Sequence, residues 1–339
     1  MAPYEHAHPT PYYLQKGWWH SMQETPDKGP IRHLGRYIAK YDKKHNLALI
    51  ATQTHQLHKW LHNKDIDPTL SNDFWNHPLI TDRQKTCLIK FRIGQYMGHA
   101  RKQLFFGRTA YPSHTCPICN SVEADTWLHV LLKCKQQHIH ALITNRHNKA
   151  VWEIRKLLVS NKNTRHYILM NAGTYNDHPP DNTVPTWLLP CTCDTQRCHC
   201  NARLKPDILC VLGHPYNSPP PAGPTPITTI QFIEFTYCND RFSADTIARK
   251  ITKYQPLVND ISARGWKIAP LLVLASGARA TTHIPSMNEL VTKLKLPPSQ
   301  IRSTFKQINI IAIHYAHSIL VHKRRIENKQ SISGLQTPS

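Results

Sequence analysis

The chain is poor in glycine, in acidic side chains and in long apolar runs. Only 12 glycines are spread over 339 residues, with no Gly-Lys-Ser/Thr sequence and no Gly-x-Ser-x-Gly elbow. Phosphate-cradling loops of the P-loop type and an α/β-hydrolase nucleophile are thereby excluded. The longest apolar stretches, Ile268–Ala275 and Ile308–Ile313, are too short to cross a bilayer. Residues 1–30 are polar, with Trp18-Trp19 isolated, and do not have the pattern of a secretory signal. No Tyr-x-Asp-Asp polymerase motif and no internal repeat occurs.

Acids number 21 against 42 Lys and Arg, a formal charge of +21. That balance suits a polyanionic partner, because neutralising phosphates releases counterions. A membrane surface is the weaker alternative, since no long amphipathic basic helix is evident. The length allows a full core and predicts two units rather than one. The reading is of an intracellular protein, where thiols stay reduced. Its 10 cysteines at close spacings then argue for metal sites over disulfides.

Residues 1–107 are basic and aromatic, with helices expected at Gln53–His62 and Ile80–Gly94 and a basic segment at Arg101–Arg108. Arg101, Lys102 and Arg108 are candidates for phosphate contact; a solvated helix face is the alternative. Residues 108–140 hold a first Cys/His cluster, and helical periodicity follows at Val151, Ile154, Leu157 and Leu158. Residues 161–190 are expected to be irregular, punctuated by Pro179-Pro180, Pro185 and Pro190. Leu204–Leu212 and Ile227–Tyr237 predict strands separated by a proline-rich excursion, and Trp266–Ala275 predicts another. Ser243 can cap a helix over Asp245–Tyr254 that Pro256 kinks or ends. Further helices are expected near Met287–Leu294 and Pro298–His322, before a polar, disordered tail at 329–339.

Cys116-x2-Cys119-x9-His129-x4-Cys134 has zinc-site spacing. Two thiolates on a tight turn and a His/Cys pair from the next helix can complete a tetrahedron. His138 and His140 are possible substitutes for His129, and four unrelated residues are the alternative reading. Four protein ligands leave no open position, so such a zinc would be structural. Cys191, Cys193, Cys198 and Cys200 form a second candidate cluster, with an exposed reactive loop as the alternative. Cys87, Cys210 and Cys238 sit in apolar settings, as core residues do.

Lys205-Pro206-Asp207 opens one expected strand, and Glu234 interrupts the apolar run of the next, between Ile233 and Phe235. A buried carboxylate without a partner is costly, so Glu234 requires an explanation. A divalent cation shared with Asp207 supplies one, because hard cations take carboxylate oxygens. Lys250 and Tyr254, four apart, share a helix face. A lysine near the metal could stabilise developing negative charge, and the tyrosine could bond a phosphate or simply pack.

The order of these features resembles the C-terminal part of non-LTR retrotransposon polyproteins that carry a restriction-enzyme-like endonuclease. The resemblance spans roughly residues 80–325 and is carried by Cys116, Cys119, His129 and Cys134 as a CCHC knuckle, then Arg146-His147-Asn148 as a helix opening. Lys205-Pro206-Asp207, Glu234, Lys250 and Tyr254 follow. It implies a PD-(D/E)XK-type α/β fold over 141–328, a mixed sheet flanked by helices. A helical basic region (1–107) and the knuckle would precede it. It also implies Mg2+ (or Mn2+) at Asp207 and Glu234, Zn2+ in the knuckle, and nicking of target DNA in the nucleus to prime reverse transcription. Thr236 stands where the family's lysine usually lies, two after the acid; Lys250 would take its place. Arg146, His147, Lys205 and Lys253 join the expected nucleic-acid contacts. Expected partners are the DNA target, the element's RNA and a reverse-transcriptase part that this chain lacks, with Trp18-Trp19 in the interface. A non-catalytic nucleic-acid-binding fragment, or a decayed remnant of such an element, is the competing expectation.

Overall fold

The fold is organised around a strand buried on both faces, β4 (Thr229–Cys238), whose Ile, Phe, Thr and Tyr content suits such a position. The structure is a computed structural model that describes residues 63–334, apart from 94–95, 111–112, 120, 161–165, 171–183, 191–199, 216–217, 220 and 241–242. The expected helix at Gln53–His62, Trp18-Trp19 and the cysteines Cys191, Cys193 and Cys198 lie outside the described residues.

On one side β4 pairs antiparallel with β3 (Ile208–Pro215), which in turn pairs with β2 (His166–Met170). On the other side it runs parallel to β5 (Lys267–Ile268) and β6 (Leu272–Gly277). Strands β7 (Thr281–His283) and β1 (Ile66–Asp67) complete the order β1-β7-β6-β4-β3-β2. In chain order the helices are α1 (Pro68–Asn72), α2 (Asp82–Arg92), α3 (His99–Ala110) and α4 (Trp127–Leu132), then α5 (Gln137–Ser160), α6 (Ser243–Ala263), α7 (Ile284–Leu294) and α8 (Pro298–Gly334).

The expected mixed sheet flanked by helices is therefore present. The parallel pair β4 and β6 needs a crossover, and α6 provides it. Because side chains alternate along a strand, β4 faces two cores. Ile230 and Phe232 meet Tyr254, Leu257 and Ile261 of α6. Ile233, Phe235 and Tyr237 face the other way, toward Ile154 and Leu157 of α5 and Phe305 and Ile308 of α8. Cys87, Cys210 and Cys238 are buried as expected, and burial pushes each thiol up to about 12.

Several expectations need correction. Strand β2 lies within 161–190, read as irregular: five residues pair along β3, and pairing rather than local sequence makes them a strand. Helix α6 runs through Pro256, which stands on its exposed side. Helix α8 continues to Gly334, so residues 329–334 of the expected disordered tail are helical. Arg146-His147-Asn148 does not open a helix; it lies inside α5, where no Pro or Gly interrupts the turn from Gln137 onward. Nor does residue 107 end a separate region, because β1 belongs to the sheet and α2 packs on α8.

The Cys/His segment is locked to the body by one buried cluster. Asp125 accepts hydrogen bonds from the Tyr96 hydroxyl at 3.3 Å, the His99 backbone N–H at 2.8 Å and Lys323 Nζ at 3.0 Å. Asp125 is 1% exposed and Lys323 2%. Burial would lower the Lys323 ammonium, but Asp125 and Glu327 outweigh it and raise it. Removing one member of such a pair strands a buried charge, so Lys323→Met is expected to cost about 3–5 kcal/mol in urea unfolding. The double variant with Asp125→Asn should recover much of that loss; an additive result would show the two side chains to be uncoupled.

Candidate functional site

The hairpin formed by β3 and β4 sets the geometry of the first cluster. Its antiparallel register ends at Ile208↔Ile233, so the next position places Asp207 opposite Glu234, on the same face. The Asp207 backbone N–H donates to Glu234 Oε2 at 3.3 Å, and the Phe235 N–H donates to Asp207 Oδ2 at 2.7 Å. The two acids are thus joined through the ladder itself, at the point where β3 begins and the edge of β4 opens.

Helix α6 crosses this edge. Lys250 and Tyr254 are one turn apart, and Leu257 and Ile261 continue the same stripe into the core, which fixes the helix rotation. Lys250 Nζ donates to Glu234 Oε1 at 2.5 Å. The Tyr254 hydroxyl is 2.9 Å from both Glu234 Oε2 and the Lys205 carbonyl, so its one proton is shared between them. Burial, then the charge of Glu234, raises the Tyr254 hydroxyl far above its ordinary range, and it stays a donor. Glu234 itself is 3% exposed. Burial and then the negative charge of Asp207 raise its carboxyl, while Lys250 and Tyr254 pull it back.

From the opposite layer α5 contributes His147, whose Nε2 lies 3.0 Å from Asp207 Oδ1. Burial alone would lower this imidazole; the charge and hydrogen bond of Asp207 outweigh it and raise it. Lys253 Nζ is 3.2 Å from the Tyr254 hydroxyl, and the Lys205 carbonyl accepts from that hydroxyl, so both residues stand beside the acids. Arg101, Lys102 and Arg108 stand on α3, away from the β3–β4 hairpin in sequence, where Leu104, Phe105 and Phe106 are exposed. Arg146 is not a surface residue: it is 1% exposed, and its Nη2 donates to the Leu131 carbonyl at 2.6 Å.

The second cluster is the Cys/His knuckle. A bridge between Thr115 and Ala124 closes a hairpin that carries Cys116 and Cys119, and the Thr126 cap starts the helix that carries His129. The ligand atoms of Cys116, Cys119, His129 and Cys134 lie within 4.8 Å of one another, and they can hold a metal ion such as zinc. A tetrahedral zinc with sulfur at ~2.3 Å and nitrogen at ~2.0 Å fits inside that spread. His129 Nε2 is 3.3 Å from Cys119 Sγ, whereas His138 and His140 are exposed and do not substitute for it. A hydrogen bond between Cys116 and Cys134 raises the first thiol and lowers the second, as when two sulfurs share a proton that a cation would displace.

Sequence reading missed the carboxylate behind this centre. Glu123 Oε2 is 3.2 Å from His129 Nδ1, and Glu123 Oε1 is 3.3 Å from Lys133 Nζ. A carboxylate on the far nitrogen fixes the tautomer that leaves Nε2 free for a metal. An acid six residues before the histidine was the available signal. Of the second cysteine set only Cys200 is described; it is half-buried and packs against the core between β3, β4 and α6.

No protein-family model matches this chain, and no curated protein is significantly similar to it.

Proposed function

We propose that the protein is a divalent-metal-dependent DNA endonuclease of the PD-(D/E)XK type, the strand-nicking part of a non-LTR retrotransposon. The observation that supports this most is the meeting of Asp207, Glu234, Lys250 and Tyr254 at one sheet edge, with Lys250 on Glu234 at 2.5 Å. A protein that only gripped nucleic acid would have no use for two facing acids there, since acids repel phosphate.

The donor set fits Mg2+ or Mn2+. Both ligands are carboxylates, the preferred donors of hard cations. Burial and then the charge of Asp207 raise the Glu234 carboxyl, and a divalent cation between the two acids would offset both. Such a cation supplies polarisation of the phosphate and a bound water of lowered pKa. The remaining work falls to the chain. Lys250 holds Glu234 Oε1 and carries a positive charge to where the phosphate gains negative charge. Tyr254 fixes the other Glu234 oxygen, and the Phe235 N–H fixes Asp207 Oδ2. The net charge of +21 draws the DNA, with Lys205 and Lys253 at the margin of the site. The knuckle is a structural support, because its four ligands leave no position for water or substrate.

The test is nicking of supercoiled plasmid in Mg2+ or Mn2+ by the wild type, Asp207→Ala and Glu234→Ala. Activity that needs added metal and disappears in both variants is the expected result. Tight DNA binding without cleavage by any of the three would replace this reading with a nucleic-acid-binding role.

A further inference from the structure

Arg146 is a buried cation that the protein itself leaves largely unanswered. Its Nη2 reaches the Leu131 carbonyl, and its guanidinium lies 4.4 Å from the centre of the Tyr237 ring. Its Nε and Nη1 are sealed from solvent and have no hydrogen-bond partner. Burial pushes the group down to about 10, still protonated at neutral pH, and a weak attraction from Tyr237 is what opposes the shift. Among the described residues no carboxylate pairs with it. A charge kept in that condition costs stability, and a guanidinium has five donors to offer.

The same side chain lines a cleft of ≈ 240 Å³ together with Leu132, Ile143, Thr144, His147, Thr236 and Tyr237. Thr144 and the His147 imidazole therefore border the cleft with it, and no acid is in the lining. The Thr236 hydroxyl is turned to the Tyr237 carbonyl at 3.3 Å. His147 also bonds Asp207 at 3.0 Å, so the cleft borders the acidic site.

We infer that this cleft is an oxyanion subsite, which takes a backbone phosphate of the nucleic-acid strand next to the one held at Asp207 and Glu234. The guanidinium turns from the Tyr237 ring toward the cleft as the phosphate enters, with Thr144 at the rim as a hydroxyl donor. This fixes the register of the strand and extends the electrostatic grip beyond the surface lysines. The inference rests on the nucleic-acid reading of the site but not on cleavage.

Arg146→Met and Thr144→Val, each also in an Asp207→Ala background, are compared by thermal melting with added inorganic phosphate and by anisotropy with a labelled DNA duplex in Ca2+. Wild type should be stabilised by phosphate. Arg146→Met should lose that response, melt no lower than wild type without phosphate, and bind DNA about tenfold more weakly or worse, as a charge-assisted contact implies. Thr144 is at the exposed rim, and its valine variant should weaken DNA binding by a smaller factor with no change in melting. An Arg146→Met protein that melts lower yet binds phosphate and DNA as wild type does would make the residue a packing element and overturn the subsite. If that variant fails to fold, Thr144→Val decides: unchanged DNA affinity and no phosphate stabilisation of wild type overturn it. Intact phosphate and DNA binding effects with no nicking by any protein would remove the nuclease reading alone.

Discussion

Lys250→Met should slow metal-dependent nicking by about 10²–10³-fold, the usual loss when a preorganised donor to developing charge is removed. The side chain is half-buried, but the change leaves Glu234, 3% exposed, without its cation. The variant should therefore also melt lower than wild type, and nicking is compared at a temperature where both proteins are folded. DNA affinity should stay near that of wild type, because the surrounding positive margin remains. Single-turnover nicking at saturating protein separates the two quantities. The geometry offers a rescue. Thr236 follows Glu234 by two on the same strand, so both side chains lie on one face. Thr236→Lys in the Lys250→Met background should therefore return part of the lost rate. A double variant as slow as the single one would mean that Lys250 acts by position on α6 and not as a portable charge.

Loss of metal from the knuckle should have the other large effect. Occupancy at about 1,000 times the dissociation constant adds ~4 kcal/mol to folding. For a body of this size each kcal/mol moves the melting temperature by about 2–4 °C. A strong chelator, or Cys134→Ser, should thus lower the melting temperature by roughly 10 °C or more. The effect should reach the whole protein, since Asp125 of the knuckle is tied to α8 through Lys323. Two separate transitions in a calorimetric scan, with only the smaller one responding to chelator, would show the knuckle to be an independent unit.

What could be read in advance followed from local rules. Glu234 was conspicuous because a charge inside an apolar run is costly, and Lys250 and Tyr254 because helical spacing aligns them. The knuckle was legible from ligand spacing alone. The misses are of another kind. Strand β2 and the two- and three-residue strands β1 and β7 exist because a neighbour is there to pair with, which the sequence does not display. Arg146 was expected at a helix opening, as a nucleic-acid contact, with nothing to show that it would be buried. Its position inside α5, between α4 and Tyr237, is a property of packing. His147 was expected to contact nucleic acid, and its bond to Asp207 depends on two elements separated by 60 positions. Glu123 carried a signal, its short distance from a metal-type histidine, that ligand spacing rules do not include.

The bond between Asp125 and Lys323 joins residues 198 apart. During synthesis at about 5–20 residues per second, the knuckle would wait some 10–40 s before its partner leaves the ribosome. Until then Asp125 has no ammonium to answer it, and the loop that must close is long. The nascent chain therefore cannot seat the knuckle first and add the rest, as domain-wise folding would allow. Assembly of this protein should be a late, concerted event, set by the arrival of its last described helix.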